Sequence, residues 1–149
     1  MIVDSLQVKV MGIDLATKNC GICWRYRDES YHMSMCGMKA QTDIDLLVFS
    51  QILKGLVKDQ VVFVDFNFNE IHLPGRKKFT AYKYFLAGIV QASAKECNLI
   101  TPSQLRKHYY CNSKMSKKDI HKLLIPEIML EQYNEHELDA YLLAKMYKG

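Results

Sequence analysis

Asp14 and Asp65 each finish an apolar run, and that placement is the first chemical signal in the chain. Asp14 follows Val8 to Ile13, and Asp65 closes Val61-Val62-Phe63-Val64-Asp65. A carboxylate at the end of a buried strand is costly unless it is paired or binds a cation. A turn cap or a salt bridge would explain either one alone. Two on neighbouring strands set like charges side by side, and a divalent metal relieves that most simply. A third carboxylate lies in Asn134-Glu135-His136-Glu137-Leu138-Asp139-Ala140. At about 100° per residue, His136 and Asp139 fall roughly 60° apart on one helix face, while Glu137 turns nearly opposite Asp139. Asn134 and Glu137 suit a capping box, which gives Glu137 a structural task. Glu135 shares the face of Asp139 and is the alternative ligand. Asp14, Asp65, Asp139 and His136 therefore make a candidate metal site of three oxygen donors and one imidazole. Oxygen donors suit Mg²⁺ or Mn²⁺, and the imidazole is better tolerated by Mn²⁺.

The elements that must bring these groups together are legible in the apolar pattern. Residues 8–15, 20–26 and 31–37 read as three strands joined by short polar turns, an antiparallel meander. Ile44, Leu47, Val48, Ile52, Leu53 and Leu56 recur at helical spacing and predict an amphipathic helix over 43–58. The continuous apolar run 61–64 predicts a strand buried on both faces. A loop over 69–78, containing Pro74-Gly75, precedes a long helix predicted over 79–97 and a short strand at Leu99-Ile100. A helical turn over 103–108 and a helix capped by Ser116 and running through Leu124 come next. The last helix is expected from Asn134 to Tyr147, with Leu138, Leu142 and Ala144 packing it on the sheet. The order predicts one α/β domain over residues 1–149, with a mixed five-stranded sheet, three antiparallel strands and then parallel ones, flanked by helices.

Composition sets the bounds. The chain has 149 residues, 49% hydrophobic and 24% charged, ordinary values for a globular domain. No apolar run approaches the ~20 residues that span a bilayer. The amino terminus lacks the basic lead and apolar stretch of a secretory signal, so a cytoplasmic protein without membrane contact is expected. Cys20, Cys23, Cys36, Cys97 and Cys111 lack the spacing of a disulfide framework. Cys20 and Cys23 form a C-x-x-C, but on a strand they face opposite sides and cannot share a metal. Net charge is +4, unevenly spread. Residues 72–125 hold eleven Lys and Arg against Glu96 and Asp119, about +9, which leaves about −5 elsewhere. That asymmetry suits a nucleic-acid partner.

Met11-Gly12-Ile13-Asp14-Leu15-Ala16-Thr17-Lys18-Asn19-Cys20-Gly21-Ile22 resembles the first motif of the RuvC-type Holliday junction resolvases. Val61-Val62-Phe63-Val64-Asp65 occupies the place of their fourth-strand acid, and His136-Glu137-Leu138-Asp139-Ala140 is similar to their closing helix motif. The resemblance runs from about Val8 to Tyr147 and implies a ribonuclease H-like fold. It implies that Asp14, Asp65 and Asp139 bind Mg²⁺, with Mn²⁺ able to substitute, and that His136 is a fourth ligand. Lys117 looks like the basic residue that such enzymes set near the scissile phosphate, with Lys118 one register away as the alternative. A homodimer nicking symmetric strands of a four-way DNA junction is implied too. The fourth-strand acid of the family is usually glutamate. Asp65 is one methylene shorter, which bears on rate and metal preference more than on fold. The lean chain looks like the compact phage-encoded members, which act in the host cytoplasm.

Phosphate contacts give affinity without sequence readout. Arg76, Lys77, Lys78, Arg106, Lys107, Lys114 and Lys118 are the candidates. Phe68, Phe79, Tyr82, Tyr109 and Tyr110 are candidate wedges between stacked bases, although helical spacing also suits several of them to the core or a dimer interface. A nuclease for RNA or hybrid duplexes and a non-catalytic DNA-binding module are the alternatives on the same fold.

Overall fold

Short turns between apolar and aromatic runs produce the expected meander. The computed structural model describes residues 7–67 and 77–149. In it β1 (Val8–Asp14), β2 (Cys20–Tyr26) and β3 (Tyr31–Cys36) pair antiparallel. Then come α1 (Asp43–Val57), β4 (Val61–Asp65), α2 (Lys77–Ser93), β5 (Glu96–Ile100), α3 (Pro102–His108), α4 (Lys117–Leu124), α5 (Glu127–Gln132) and α6 (Glu135–Lys145). The sheet order is β3-β2-β1-β4-β5, with β4 parallel to both β1 and β5. This is the mixed α/β sheet expected from the sequence.

Alternation along each strand divides the interior in two. Met11, Ile13, Ile22, Trp24, Val62 and Val64 face α1 and α2, where they meet Phe49, Leu53, Leu86 and Val90. Val10, Cys23 and the half-buried Phe63 face α6. Val8 joins the first cluster despite sharing parity with Val10, because the β1–β2 register shifts between those two residues. Cys20 and Cys23 lie in different clusters, as strand alternation requires, and all five cysteines are free.

Leu138 to Ala144 are buried at every position. The sheet covers one side of α6, and Leu105, Tyr109, Ile120, Ile125, Met129 and Leu130 of the outer helical segments cover the other. The helix lies close to the sheet because two glycines leave room. A Cβ on Gly12 would stand 1.9 Å from the Ala140 carbonyl oxygen, and one on Gly21 would stand 2.1 Å from that of His136.

Three expectations are corrected. The long helix ends at Ser93 rather than Cys97, because Glu96 and Cys97 pair with Val61 and Val62 and so begin β5. Helix α5 is additional: it starts after Pro126 with no side-chain cap, so the usual start signal is missing. The inward face of α1 is Leu46, Phe49, Ser50, Leu53 and Val57, whereas Ile44, Leu47, Val48 and Ile52 are exposed. That helix has two apolar stripes, and periodicity alone does not choose between them. No helix among the described residues is long and apolar enough to cross a membrane.

Candidate metal centre

The same alternation that turns Val10 and Gly12 toward α6 turns Asp14 there too. Parallel pairing of β1 with β4 sets Asp14 directly beside Asp65. Helix α6 delivers the third acid. Asn134 caps it by accepting the Glu137 N–H at 2.9 Å, and the Glu137 carboxylate accepts the Asn134 N–H at 3.2 Å. One carboxylate oxygen from each of Asp14, Asp65 and Asp139 lies within 4.8 Å of the others. Asp14 and Asp139 are only 7% and 5% exposed, too little for water alone to dissipate their charge.

His136 Nδ1 lies 3.0 Å from Asp14 Oδ2, so the half-buried imidazole borders the cluster beside Asp14. Glu135 is exposed and sits 3.6 Å from the other nitrogen of His136, beyond the ring. Lys117 Nζ donates to Asp139 Oδ2 at 3.0 Å. Lys118 points to solvent as an exposed residue, and of the two lysines it is Lys117 whose ammonium meets the cluster. His121, unforeseen in the sequence, is buried, and its Nε2 lies 2.7 Å from Asp139 Oδ1. Its signal was spacing: Lys117 and His121 stand four apart on α4 and share a face.

Charge is frustrated here without a cation. Burial, and then the charges of Asp139 and Asp65, push the Asp14 carboxyl up to about 7, against smaller lowering by Lys117 and His136. Burial also raises Asp65. Burial works against ionised Asp139, but the hydrogen bonds and charges of His121 and Lys117 outweigh it and hold that carboxyl low. Burial disfavours the Lys117 ammonium, and its three acidic neighbours more than compensate.

Asp14 sets the direction in which stability changes with pH. A carboxyl with a raised native pKa stabilises the fold below its unfolded value and loses that contribution as pH rises through about 7. Asp139 acts in the opposite sense at lower pH. Metal-free protein should therefore lose stability relative to the Asp14→Asn variant between pH 5 and pH 8, by on the order of a few kcal/mol. Saturating Mn²⁺ should restore it. Melting curves at both pH values check this; an unchanged gap between the two proteins would contradict it.

Arg106 is half-buried rather than spread on the outer surface. It lines a small cavity with Asp65, Leu105, Lys117, His121 and Asp139, and its guanidinium donates to the Met115 carbonyl at 3.4 Å. Lys78, Lys107, Lys114 and Lys118 are exposed. Two candidate wedges belong to the interior: Tyr82 is buried with its hydroxyl on Asp43, and the half-buried Tyr109 donates to the Leu142 carbonyl. Phe79 and Tyr110 are exposed, Tyr110 almost completely at 97%. Phe68 and Arg76 lie outside the described residues, as does the side chain of Lys77.

No protein-family model matches the chain, and no curated protein matches it by sequence. Solved structures do match. Thermus thermophilus RuvC in complex with a Holliday junction substrate superposes with a TM-score of 0.64 at 14% identity, covering 92% of this chain and 90% of that one. Another structure of Thermus thermophilus RuvC gives 0.64 and 14%, covering 92% and 91%. The yeast mitochondrial Holliday junction resolvase Ydc2 gives 0.62 and 16%, covering 94% and 77%. The chain therefore has the ribonuclease H-like fold of RuvC.

Proposed function

We propose that this chain is a divalent-metal-dependent endonuclease that cuts branched DNA, the four-way junction foremost. The observation that carries this reading is the meeting of Asp14, Asp65 and Asp139 beside Lys117. The donor set fits a hard divalent cation: three carboxylates within reach of one ion, two of them made hard to ionise by burial. Mg²⁺ is the proposed metal, with Mn²⁺ as substitute. Asp14, Asp65 and Asp139 would hold it, and His136 would join from the side of Asp14. When bound, the ion supplies Lewis acidity and a water of lowered pKa.

The remaining tasks fall to the protein itself. Lys117 holds its ammonium against Asp139 and near Asp14 and Asp65, where it can meet charge developing on a phosphate. Because the carboxylates lie among buried apolar residues, those interactions act in a weakly screened setting. Arg106 borders the same cavity and can donate to a phosphate oxygen. The exposed Lys107, Lys114 and Lys118, on α3, α4 and the segment between them, would neutralise the DNA backbone. Lys78, exposed in the first turn of α2, would add to that neutralisation. Tyr110 and Phe79 are the exposed rings that could stack on unpaired bases.

The solved relative bound to a Holliday junction, together with the yeast resolvase, supports the choice of a branched substrate. Two equivalent cuts require two copies, and the exposed stripe Ile44, Leu47, Val48 and Ile52 supports a homodimer. A cytoplasmic setting accords with free thiols. The test is a synthetic four-way junction incubated with Mg²⁺ or Mn²⁺. Paired symmetric nicks, absent with EDTA, are expected. Tight binding without cuts in either metal would overturn the nuclease reading, and preferential cutting of an RNA–DNA hybrid would change its substrate.

A further inference from the structure

We infer that His121 is the positioning residue that aims Asp139 at the metal, a role that rests on the metal site proposed above. The three acids are held in different ways. Asp14 and Asp65 sit in register on neighbouring strands, so the backbone ladder sets where their side chains point. Asp139 stands on α6 and takes its orientation from α4, where Lys117 and His121 share one face.

Those two partners are unequal. The Lys117 side chain is 56% exposed and long, and its ammonium is a freely rotating point charge. His121 is short, stiff and 6% exposed. An ionised carboxylate only accepts hydrogen bonds, so Nε2 of His121 carries the hydrogen and donates to Oδ1 over 2.7 Å. That bond fixes the plane of the Asp139 carboxylate. It occupies one lone pair of Oδ1, as Lys117 does on Oδ2, and one on each oxygen is left for a cation. Ile120, 3% exposed beside it, and the bond from the Ile125 N–H to the His121 carbonyl hold the ring's own backbone in place. Outer partners of this kind commonly change metal affinity by about 10–100-fold when lost.

The test uses the full chain with two substitutions. His121→Leu removes the donor at similar volume, and His121→Gln puts an amide N–H near the place of Nε2. Metal-free melting curves establish that each variant folds. Free Mn²⁺ is then counted by electron paramagnetic resonance with protein and no DNA, and junction cleavage is titrated with Mg²⁺ separately. His121→Leu should weaken Mn²⁺ binding by about 10-fold or more and move the Mg²⁺ requirement up by a similar factor, with metal-free junction affinity unchanged. His121→Gln should recover most of the loss. Wild-type Mn²⁺ affinity in a folded His121→Leu protein would overturn the assignment, as would a folded His121→Gln protein no better than His121→Leu. Failure of the nuclease reading looks different: wild-type protein would bind Mn²⁺ and cut no DNA, while the contrast between variants in Mn²⁺ binding would persist. Wild-type protein that binds no Mn²⁺ would remove both.

Discussion

Asp14→Asn should abolish junction cleavage while leaving junction binding within about threefold of wild type at fixed salt. The amide keeps the shape and can still meet His136, but it loses the charge that the metal site needs. Metal stabilisation of a transferring phosphate is worth several kcal/mol, and each ~1.4 kcal/mol is a factor of ten. A fall of about 10³-fold or more is therefore expected. Binding should survive because the lysines proposed to meet the DNA on α3 and α4 are exposed, whereas Asp14 is buried. The same substitution should raise metal-free melting temperature near pH 8, since no carboxyl held at about 7 then has to ionise. Greater stability with lost activity is the signature of a group kept for chemistry. Single-turnover cleavage and a gel-shift titration on one preparation check both halves. Near-normal cutting would remove Asp14 from the site.

Gly12→Ala should produce the largest effect on stability. Its new Cβ would lie 1.9 Å from the Ala140 carbonyl oxygen and 2.8 Å from the Ala144 nitrogen. Both obstacles are backbone, so no side-chain rotation relieves them, and α6 must lift from β1. Overpacking costs typically 1–3 kcal/mol, and a backbone collision belongs at about 3 kcal/mol or beyond. For a chain this long, that corresponds to a drop of roughly 6–12 °C in Tm. Cleavage should fall as well, because the displaced helix carries Asp139 and His136. Gly55→Ala and Gly88→Ala are the matched controls. Each lies in a helix where an added Cβ meets nothing within 4 Å, and each should gain about 0.5–1 kcal/mol. Equal melting temperatures for Gly12→Ala and wild type would refute the tight β1–α6 contact.

What could be read from the chain follows from how local each signal is. Asp14 and Asp65 end strands whose apolar runs are unmistakable, so their meeting needed only parallel pairing of β1 with β4. The Asn134–Glu137 capping box was legible because both partners lie within one turn. His121 was harder. Its partner stands on another helix eighteen positions away, and its spacing from Lys117 shows a shared face of α4 without naming the carboxylate that face meets. The boundary of α2 failed for a related reason, since Glu96 and Cys97 gain their strand character from β4. Helix α6 shows tertiary structure overriding pattern. Buried on all sides from Leu138 to Ala144, it has no polar face for periodicity to find, and its role was visible through its acid and cap instead.

Asp14, Asp65 and Asp139 are proposed to share one divalent cation. Crystals soaked in Mn²⁺ and measured at the manganese absorption edge would show the ion itself. An anomalous peak bounded by oxygens of all three aspartates, at about 2.0–2.2 Å as hard octahedral cations require, is the predicted result. Clear density for the three carboxylates with no peak between them, or manganese only at other sites, would contradict it.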